Sequence, residues 1–195
     1  MVAIINYGAG NTQSVINCLE RIQCEYILTD RPESIVSADK VILPGVGHAA
    51  TAMQSLKNKD LIEIIKNYEK PLLGICLGMQ LLYDFSEEGD TTCLGIIPGN
   101  IKKFKPLNYE KIPHMGWNQI SRRSLDPLYE DVADGENFYF VHSYYAEISK
   151  YTETICEYIR PFTASCRYGN FYGIQFHPEK SGKIGENLIQ KFINL

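Results

Sequence analysis

No Cys-x-x-Cys pair occurs anywhere in the chain. The six cysteines, Cys18, Cys24, Cys76, Cys93, Cys156 and Cys166, also avoid metal-ligand spacing with the four histidines, so neither a metal site nor a disulfide framework is expected. A basic patch is missing too. The 19 Lys and Arg are interspersed with 23 Asp and Glu, for a net charge of −4, which excludes the footprint of a nucleic-acid binder. The opening Met-Val-Ala-Ile-Ile-Asn-Tyr-Gly has no basic stretch, and its apolar run is too short for a secretory leader. The longest uncharged stretch, 41–56, is broken by Pro44 and His48 and does not read as a membrane span. Repeats, low-complexity tracts and linkers are absent as well. These absences predict a protein that binds neither nucleic acid nor membrane, works in the cytoplasm and keeps its thiols reduced.

What is present suits a self-sufficient core. The 195 residues are 45% hydrophobic and include 13 Tyr and 8 Phe, too apolar a mixture for disorder. A chain of this length buries about 70% of its unfolded surface, so one domain over 1–195 is expected. The first half alternates short apolar runs (2–5, 25–29, 41–43, 71–75) with helical spacings (15–22, 49–56, 61–68, 77–85), the pattern of βαβ units around a parallel sheet. The second half is richer in strands, expected at 101–104, 118–120, 138–141, 154–158, 164–168 and 173–176. Ile184, Leu188, Ile189 and Phe192 mark a closing amphipathic helix. Together these predict one α/β domain with a mixed sheet.

Three segments carry candidate chemistry. Gly74-Ile75-Cys76-Leu77-Gly78 has the layout of a nucleophile elbow, with glycine two residues before and two after the cysteine at a strand-to-helix junction. A cysteine there meets the free N–H groups of a helix start, which favour the thiolate; the competing reading is a buried packing cysteine in a glycine-rich turn. His177-Pro178-Glu179 follows an apolar run and offers a base with its own orienting carboxylate, or else a capped turn before the last helix. Pro44-Gly45-Val46-Gly47 can aim backbone N–H groups into a cavity, as an oxyanion hole requires, or can be a plain turn. Gly8-Ala9-Gly10 lacks the third glycine of a dinucleotide loop, because Gln13 stands in its place, and no Walker lysine follows. His48, His114 and His142 read as hydrogen-bonded structural histidines, and Trp117 as packing.

Taken together, these motifs resemble those of the class I (triad-type) glutamine amidotransferases. Within that family they are most similar to the glutaminase subunits of imidazole glycerol phosphate synthases. The resemblance runs through Asn6-Tyr7-Gly8-Ala9-Gly10-Asn11, Leu43-Pro44-Gly45-Val46-Gly47-His48, Gly74-Ile75-Cys76-Leu77-Gly78-Met79-Gln80, Pro113-His114-Met115-Gly116-Trp117-Asn118, Phe140-Val141-His142-Ser143-Tyr144 and Gln175-Phe176-His177-Pro178-Glu179-Lys180-Ser181-Gly182. It implies a flavodoxin-like three-layer α/β domain, with a mostly parallel central sheet flanked by helices. It also implies hydrolysis of L-glutamine to glutamate and ammonia without any cofactor.

Carried over by position, Cys76 is the nucleophile, His177 the base and Glu179 its orienting carboxylate. Leu77 and the Gly45, Val46, Gly47 segment, through Val46, hold the oxyanion. Gln80 contacts the amino-acid part of glutamine, and backbone groups around Ser143 and Tyr144 hold its α-carboxylate. The implied partner is a (β/α)8-barrel synthase subunit in a heterodimer, which uses the ammonia to convert a phosphoribosyl-formimino carboxamide ribonucleotide (PRFAR). Asn11, Trp117, Tyr139 and Lys180 are expected on the side facing it. If Val46 presents its carbonyl inward in the free subunit, turning that peptide supplies the missing N–H. Asn6, Gln23 and Cys93 depart from the family pattern. They leave room for a paralogue feeding another synthase, such as a sugar amidotransferase. A stand-alone triad hydrolase or a scaffolding homologue are further alternatives, the last disfavoured by the intact Cys76, His177 and Glu179.

Overall fold

The short apolar runs of the first half form parallel strands. In the computed structural model, which describes residues 1–8 and 10–195, β1 (Val2–Ile5), β2 (Tyr26–Thr29), β3 (Lys40–Leu43) and β4 (Leu72–Ile75) alternate with α1 (Thr12–Arg21), α2 (Pro32–Ser37), α3 (Ala49–Asn58) and α4 (Ile62–Lys66). Ala9, of the Gly8-Ala9-Gly10 motif, lies outside the described residues. The second half adds α5 (Leu77–Leu81), β5 (Tyr83–Ser86), β6 (Thr91–Thr92), β7 (Ile97–Lys103), β8 (His114–Arg122), β9 (Glu136–His142), β10 (Tyr144–Ala146), β11 (Thr152–Tyr158), β12 (Arg160–Tyr168), β13 (Phe171–Ile174) and α6 (Gly182–Asn194).

The sheet is mixed, around a parallel centre. β2-β1-β3-β4-β13 run parallel, and β12, β10, β7, β5 and β6 continue from β13. β11 branches from β12 and carries β8 and then β9, all antiparallel. Strand alternation sends successive side chains to opposite faces. Val2 and Ile4 therefore join one core with Val15 and Leu19 of α1 and Leu188 and Phe192 of α6. Ala3 and Ile5 join another with Ile35 of α2, Leu56 of α3 and Ile65 of α4. Helices thus cover both faces, giving three layers. Each fully buried Ile or Leu in these cores contributes about 1.5–3 kcal/mol. No described helix is long and apolar enough to cross a membrane.

The helix expected over 77–85 stops at Leu81, and the chain enters β5 directly. Leu77, Met79, Leu81, Leu82 and Tyr83 are all buried, so apolar spacing there carries no information about a face. Strand pairing decides instead: β5 lies parallel to β7, and the Asp84 carboxylate accepts from the Gly99 N–H at 2.8 Å. The spacing also missed α2, β6 and β10, and started β7 and β8 too late, at 101 and 118 rather than at Ile97 and His114.

Topology sets where the chemistry sits. β1, β3, β4 and β13 are parallel neighbours. From their C-terminal ends the chain releases the turn before Asn11, the 44–47 segment, Cys76 and the run leading to His177. Open α/β sheets present their sites at this edge.

Candidate active site

Cys76 occupies the sharp turn between β4 and α5, with φ 54° and ψ −109°. Such a positive φ on a non-glycine residue is strained and is held only by its surroundings. The flanking glycines make the turn possible. A Cβ on Gly78 would lie 1.9 Å from the Leu43 carbonyl oxygen, and one on Gly74 would lie 2.6 Å from that of Gly78. The Cys76 N–H donates to the Ile174 carbonyl at 2.7 Å, which ties the elbow to β13.

Three residues beyond the end of β13, His177 is 1% exposed. Its Nδ1–H donates to Glu179 Oε1 at 2.7 Å, so Nε2 is the basic nitrogen. The backbone on either side is pinned: His177 N–H donates to the Tyr139 carbonyl at 2.8 Å, and the Ser181 hydroxyl donates to the His177 carbonyl at 2.7 Å. Burial works against the imidazolium, but the electrostatic and hydrogen-bond interactions with Cys76, and then those with Glu179, outweigh it and push the His177 pKa up to about 10. Nε2 and Glu179 Oε2 are buried without hydrogen-bond partners. Cysteine, histidine and glutamate, spread over 104 positions of the chain, thus meet at one place.

Cys76 opens into a cavity of about 360 Å³ whose wall includes Val46, Gly47, Leu77, Gln80, Ser143 and Tyr144, a volume typical of small-molecule sites. Gln80 Nε2 donates to the Tyr144 carbonyl at 3.0 Å and to Gln175 Oε1 at 2.8 Å. Its amino group is therefore spent inside the protein, and only Oε1 remains for a ligand. The Ser143 carbonyl is likewise occupied, by the Phe104 N–H at 3.0 Å. The Leu77 N–H donates to the Gly45 carbonyl at 3.3 Å. The carbonyl facing the elbow is therefore that of Gly45, not of Val46, and the peptide in question joins Gly45 to Val46.

Asn11, Val46, His177 and Glu179 also border a cleft too narrow for water. Asn11 caps α1, accepting from the Ser14 N–H at 3.2 Å. The expectation that Trp117 packs inside is not met. It is 59% exposed and meets Tyr139 edge-on at 6.2 Å, because strand alternation turns Met115 and Trp117 outward while His114 turns in. Lys180 is exposed in the turn directly after Glu179. Of the four residues expected to face a partner, Asn11 borders the cleft with His177, Lys180 follows Glu179, and Trp117 meets Tyr139, whose carbonyl accepts from the His177 N–H.

His48 caps α3, accepting from the Ala50 N–H at 3.2 Å. His114 and His142 form a buried pair 3.0 Å apart. Burial drives their pKa values down to about 4 and about 3, the second helped by the neighbouring histidines and opposed by the Tyr144 carbonyl.

Two residues at the site escaped the sequence reading. Glu88 lines the cavity and accepts from the Ala49 N–H at 2.8 Å; nothing local marks it among the acidic residues of its loop. Gln175 lies 3.7 Å from Cys76 Sγ, and its only signal was adjacency to the His177 motif.

Comparison with known proteins places this geometry in context. A family model described as "Glutamine amidotransferase class-I" matches residues 3–195. The chain is 49% identical over 195 residues to the "Imidazole glycerol phosphate synthase subunit HisH" of Bacteroides fragilis, covering 100% of this chain and 99% of that one. It is 46% identical over 200 residues to the protein of the same name from Vibrio parahaemolyticus, covering 100% and 98%. A structure titled "Crystal structure of glutamine amidotransferase" superposes with a TM-score of 0.76 at 14% identity, covering 100% of this chain and 98% of that one, which bears on the fold alone.

Proposed function

The chain belongs to the class-I glutamine amidotransferases, and from that membership we propose that it is the glutaminase subunit of an imidazole glycerol phosphate synthase. It hydrolyses L-glutamine to glutamate and ammonia. The ammonia passes to a (β/α)8-barrel synthase subunit, bound as a heterodimer, which converts PRFAR to imidazole glycerol phosphate and an aminoimidazole carboxamide ribotide in cytoplasmic histidine biosynthesis. The observation that carries the chemistry is a cysteine on a strained elbow beside a buried His177–Glu179 pair, at the mouth of a ligand-sized cavity.

The Cys76 thiolate attacks the side-chain carboxamide carbon, and the C=O π electrons move onto oxygen. When the tetrahedral species collapses, His177 gives its Nε2 proton to the departing nitrogen, so ammonia leaves and a γ-glutamyl thioester remains. Water then adds to the thioester, His177 takes its proton, and glutamate departs as the thiolate is restored. Glu179 keeps the imidazole in one tautomer and stabilises its cation through both steps. Glu88 suits the substrate α-ammonium, and the N–H side of Ser143 and Tyr144 its carboxylate.

The oxyanion requires two N–H donors, from Leu77 and Val46. In the conformation described, the Gly45 carbonyl occupies the Leu77 N–H. Turning the Gly45–Val46 peptide replaces that acceptor by a donor, and each donor is worth about 3–4 kcal/mol in the transition state. Partner docking along the Asn11, Trp117, Tyr139 and Lys180 rim is the trigger for this turn. The test is ammonia release by the purified chain, with and without the barrel subunit and its ribonucleotide. Low basal activity and strong stimulation by both together are expected. A free chain as fast as the complex would refute the switch, and a complex that never responds to the ribonucleotide would refute the pathway.

A further inference from the structure

Gln175 is fully buried and takes no part in the triad, yet it stands beside the nucleophile. The register that pairs Ile174 with Ile75 puts it level with Cys76, and its own N–H is anchored on the Ala164 carbonyl at 2.8 Å. The orientation of its carboxamide follows from a chain of hydrogen bonds that ends on backbone oxygens. The Tyr144 carbonyl can only accept. It therefore takes N–H groups from Gln80 Nε2 at 3.0 Å and from His142 Nδ1 at 2.8 Å. The second proton of the Gln80 amino group must go to an acceptor, which makes the Gln175 atom at 2.8 Å its Oε1. Gln175 Nε2, which can only donate, is then left facing Cys76 Sγ at 3.7 Å.

The other branch has the same direction throughout. With a proton on Nδ1, neutral His142 accepts at Nε2 from His114 Nδ1 at 3.0 Å. His114 Nε2 in turn accepts from Asn118 Nδ2 at 3.1 Å, and the same amino group donates to the Glu157 carbonyl at 2.9 Å. Every link runs from donor to acceptor: flipping the Gln80 amide would set its oxygen against the Tyr144 and Gln175 oxygens, and flipping the Gln175 amide would set its amino group against that of Gln80.

We propose that Gln175 is a catalytic residue of this site: it donates an N–H to the Cys76 sulfur and holds it as the anion, and it is aimed for that task by Gln80 and the Tyr144 carbonyl. This inference rests on Cys76 being the nucleophile. The sulfur has a distinct neighbour for each protonation state, since the Val141 carbonyl, 3.9 Å away, accepts only from a thiol S–H, whereas Gln175 Nε2 favours a thiolate. Burial pushes the Cys93, Cys156 and Cys166 thiols up to about 12. Cys76 is buried to a degree similar to Cys93, but it faces a histidine and an aimed amide donor. The ionisable groups around the sulfur are His177 and Glu179 after β13, Tyr7 after β1, and His142, Tyr144 and Glu88 on the cavity wall.

The test is the pH dependence of Cys76 alkylation by iodoacetamide in the full chain, read by mass spectrometry of the Cys76 peptide, for wild type, Gln175→Met and Gln175→Glu. Met keeps the shape without a donor; Glu keeps the acceptor for Gln80 but sets an oxygen against sulfur. Both are expected to raise the alkylation midpoint, by about one pH unit for Met and more for Glu. The corresponding loss is roughly tenfold in alkylation rate near neutrality. kcat should fall in parallel, with a smaller change in KM for glutamine. A folded Gln175→Met protein with the wild-type midpoint overturns the proposal. A check that leaves Gln175 unchanged covers loss of folding. In wild type, the side-chain ¹⁵N resonance of Gln175 should titrate with the Cys76 midpoint and be silent in Cys76→Ala; no such titration also overturns it. Cys76→Ala separates the two readings. Ammonia release surviving that substitution refutes the nucleophile, whereas its loss beside unchanged Gln175 variants refutes the role of Gln175 alone.

Discussion

At the residue scale, the proposed mechanism divides the labour of proton transfer between the two members of the buried His177–Glu179 pair. Glu179 has one oxygen on Nδ1–H and the other unpartnered, so its negative charge is directed at a single imidazole. Glu179→Gln keeps the volume but removes that charge, and an amide can satisfy the wrong tautomer by donating to Nδ1. The expected result is a fall in kcat of roughly 10²–10⁴-fold with KM for glutamine little changed. Steady-state kinetics in the complex check it, and near-wild-type kcat would mean that Glu179 does not orient the base. Neither the charge on Glu179 nor its orphan oxygen is visible in the tripeptide His-Pro-Glu, which reads equally as a capped turn. Burial makes the difference.

At the element scale, the elbow and the β8–β9 pair show two kinds of dependence on sequence. The elbow was legible because its requirement is local: a tight strand-to-helix turn excludes side chains at positions 74 and 78, so glycine marks it. The β8–β9 pair was not, because the register that sets His114 opposite His142 is chosen by sheet pairing 28 residues apart.

That pair also makes stability depend on pH. The folded-state pKa values of about 4 and about 3 lie below the ordinary imidazole value of about 6.5. Between these limits the unfolded chain binds protons that the folded chain refuses. The contribution of this pair is therefore full above about pH 6.5 and declines as pH falls, by about 1.4 kcal/mol per pH unit for each histidine. His177, whose pKa is raised, is protonated in both states below pH 6.5 and adds nothing to this slope; its contribution is lost as pH rises toward about 10. Urea unfolding at pH 7, 6 and 5 measures the effect, and a flat profile over that range would contradict the buried neutral pair.

For the whole molecule, the question is what the exposed rim meets. Met115 is 63% and Trp117 59% exposed on one face of β8, beside the strand whose Tyr139 carbonyl accepts from the His177 N–H. Aromatic anchors of this kind commonly dominate binding energy at interfaces. Trp117→Ala should leave the thermal midpoint within a degree or two, since little packing is lost, while weakening affinity for the barrel subunit by about ten- to a hundredfold. Titration calorimetry with the purified partner decides this, and unchanged affinity would move the interface off β8.

By itself the sequence determined the fold class, the absence of any spacing for a metal or disulfide, and the three segments proposed to hold the nucleophile, the base and the oxyanion strand. Each of these is encoded in a local period or a local steric demand, and a single chain displays such demands openly. The tertiary structure decided everything that depends on residues meeting across the sheet. It set Gln175 against Cys76 from 99 positions away, turned the Gly45 carbonyl onto the Leu77 N–H, and spent the Gln80 amino group inside the wall. It also turned Trp117 out rather than in. The direction of a hydrogen bond and the burial of a charge are properties of the assembled layers, because they depend on which strand lies beside which.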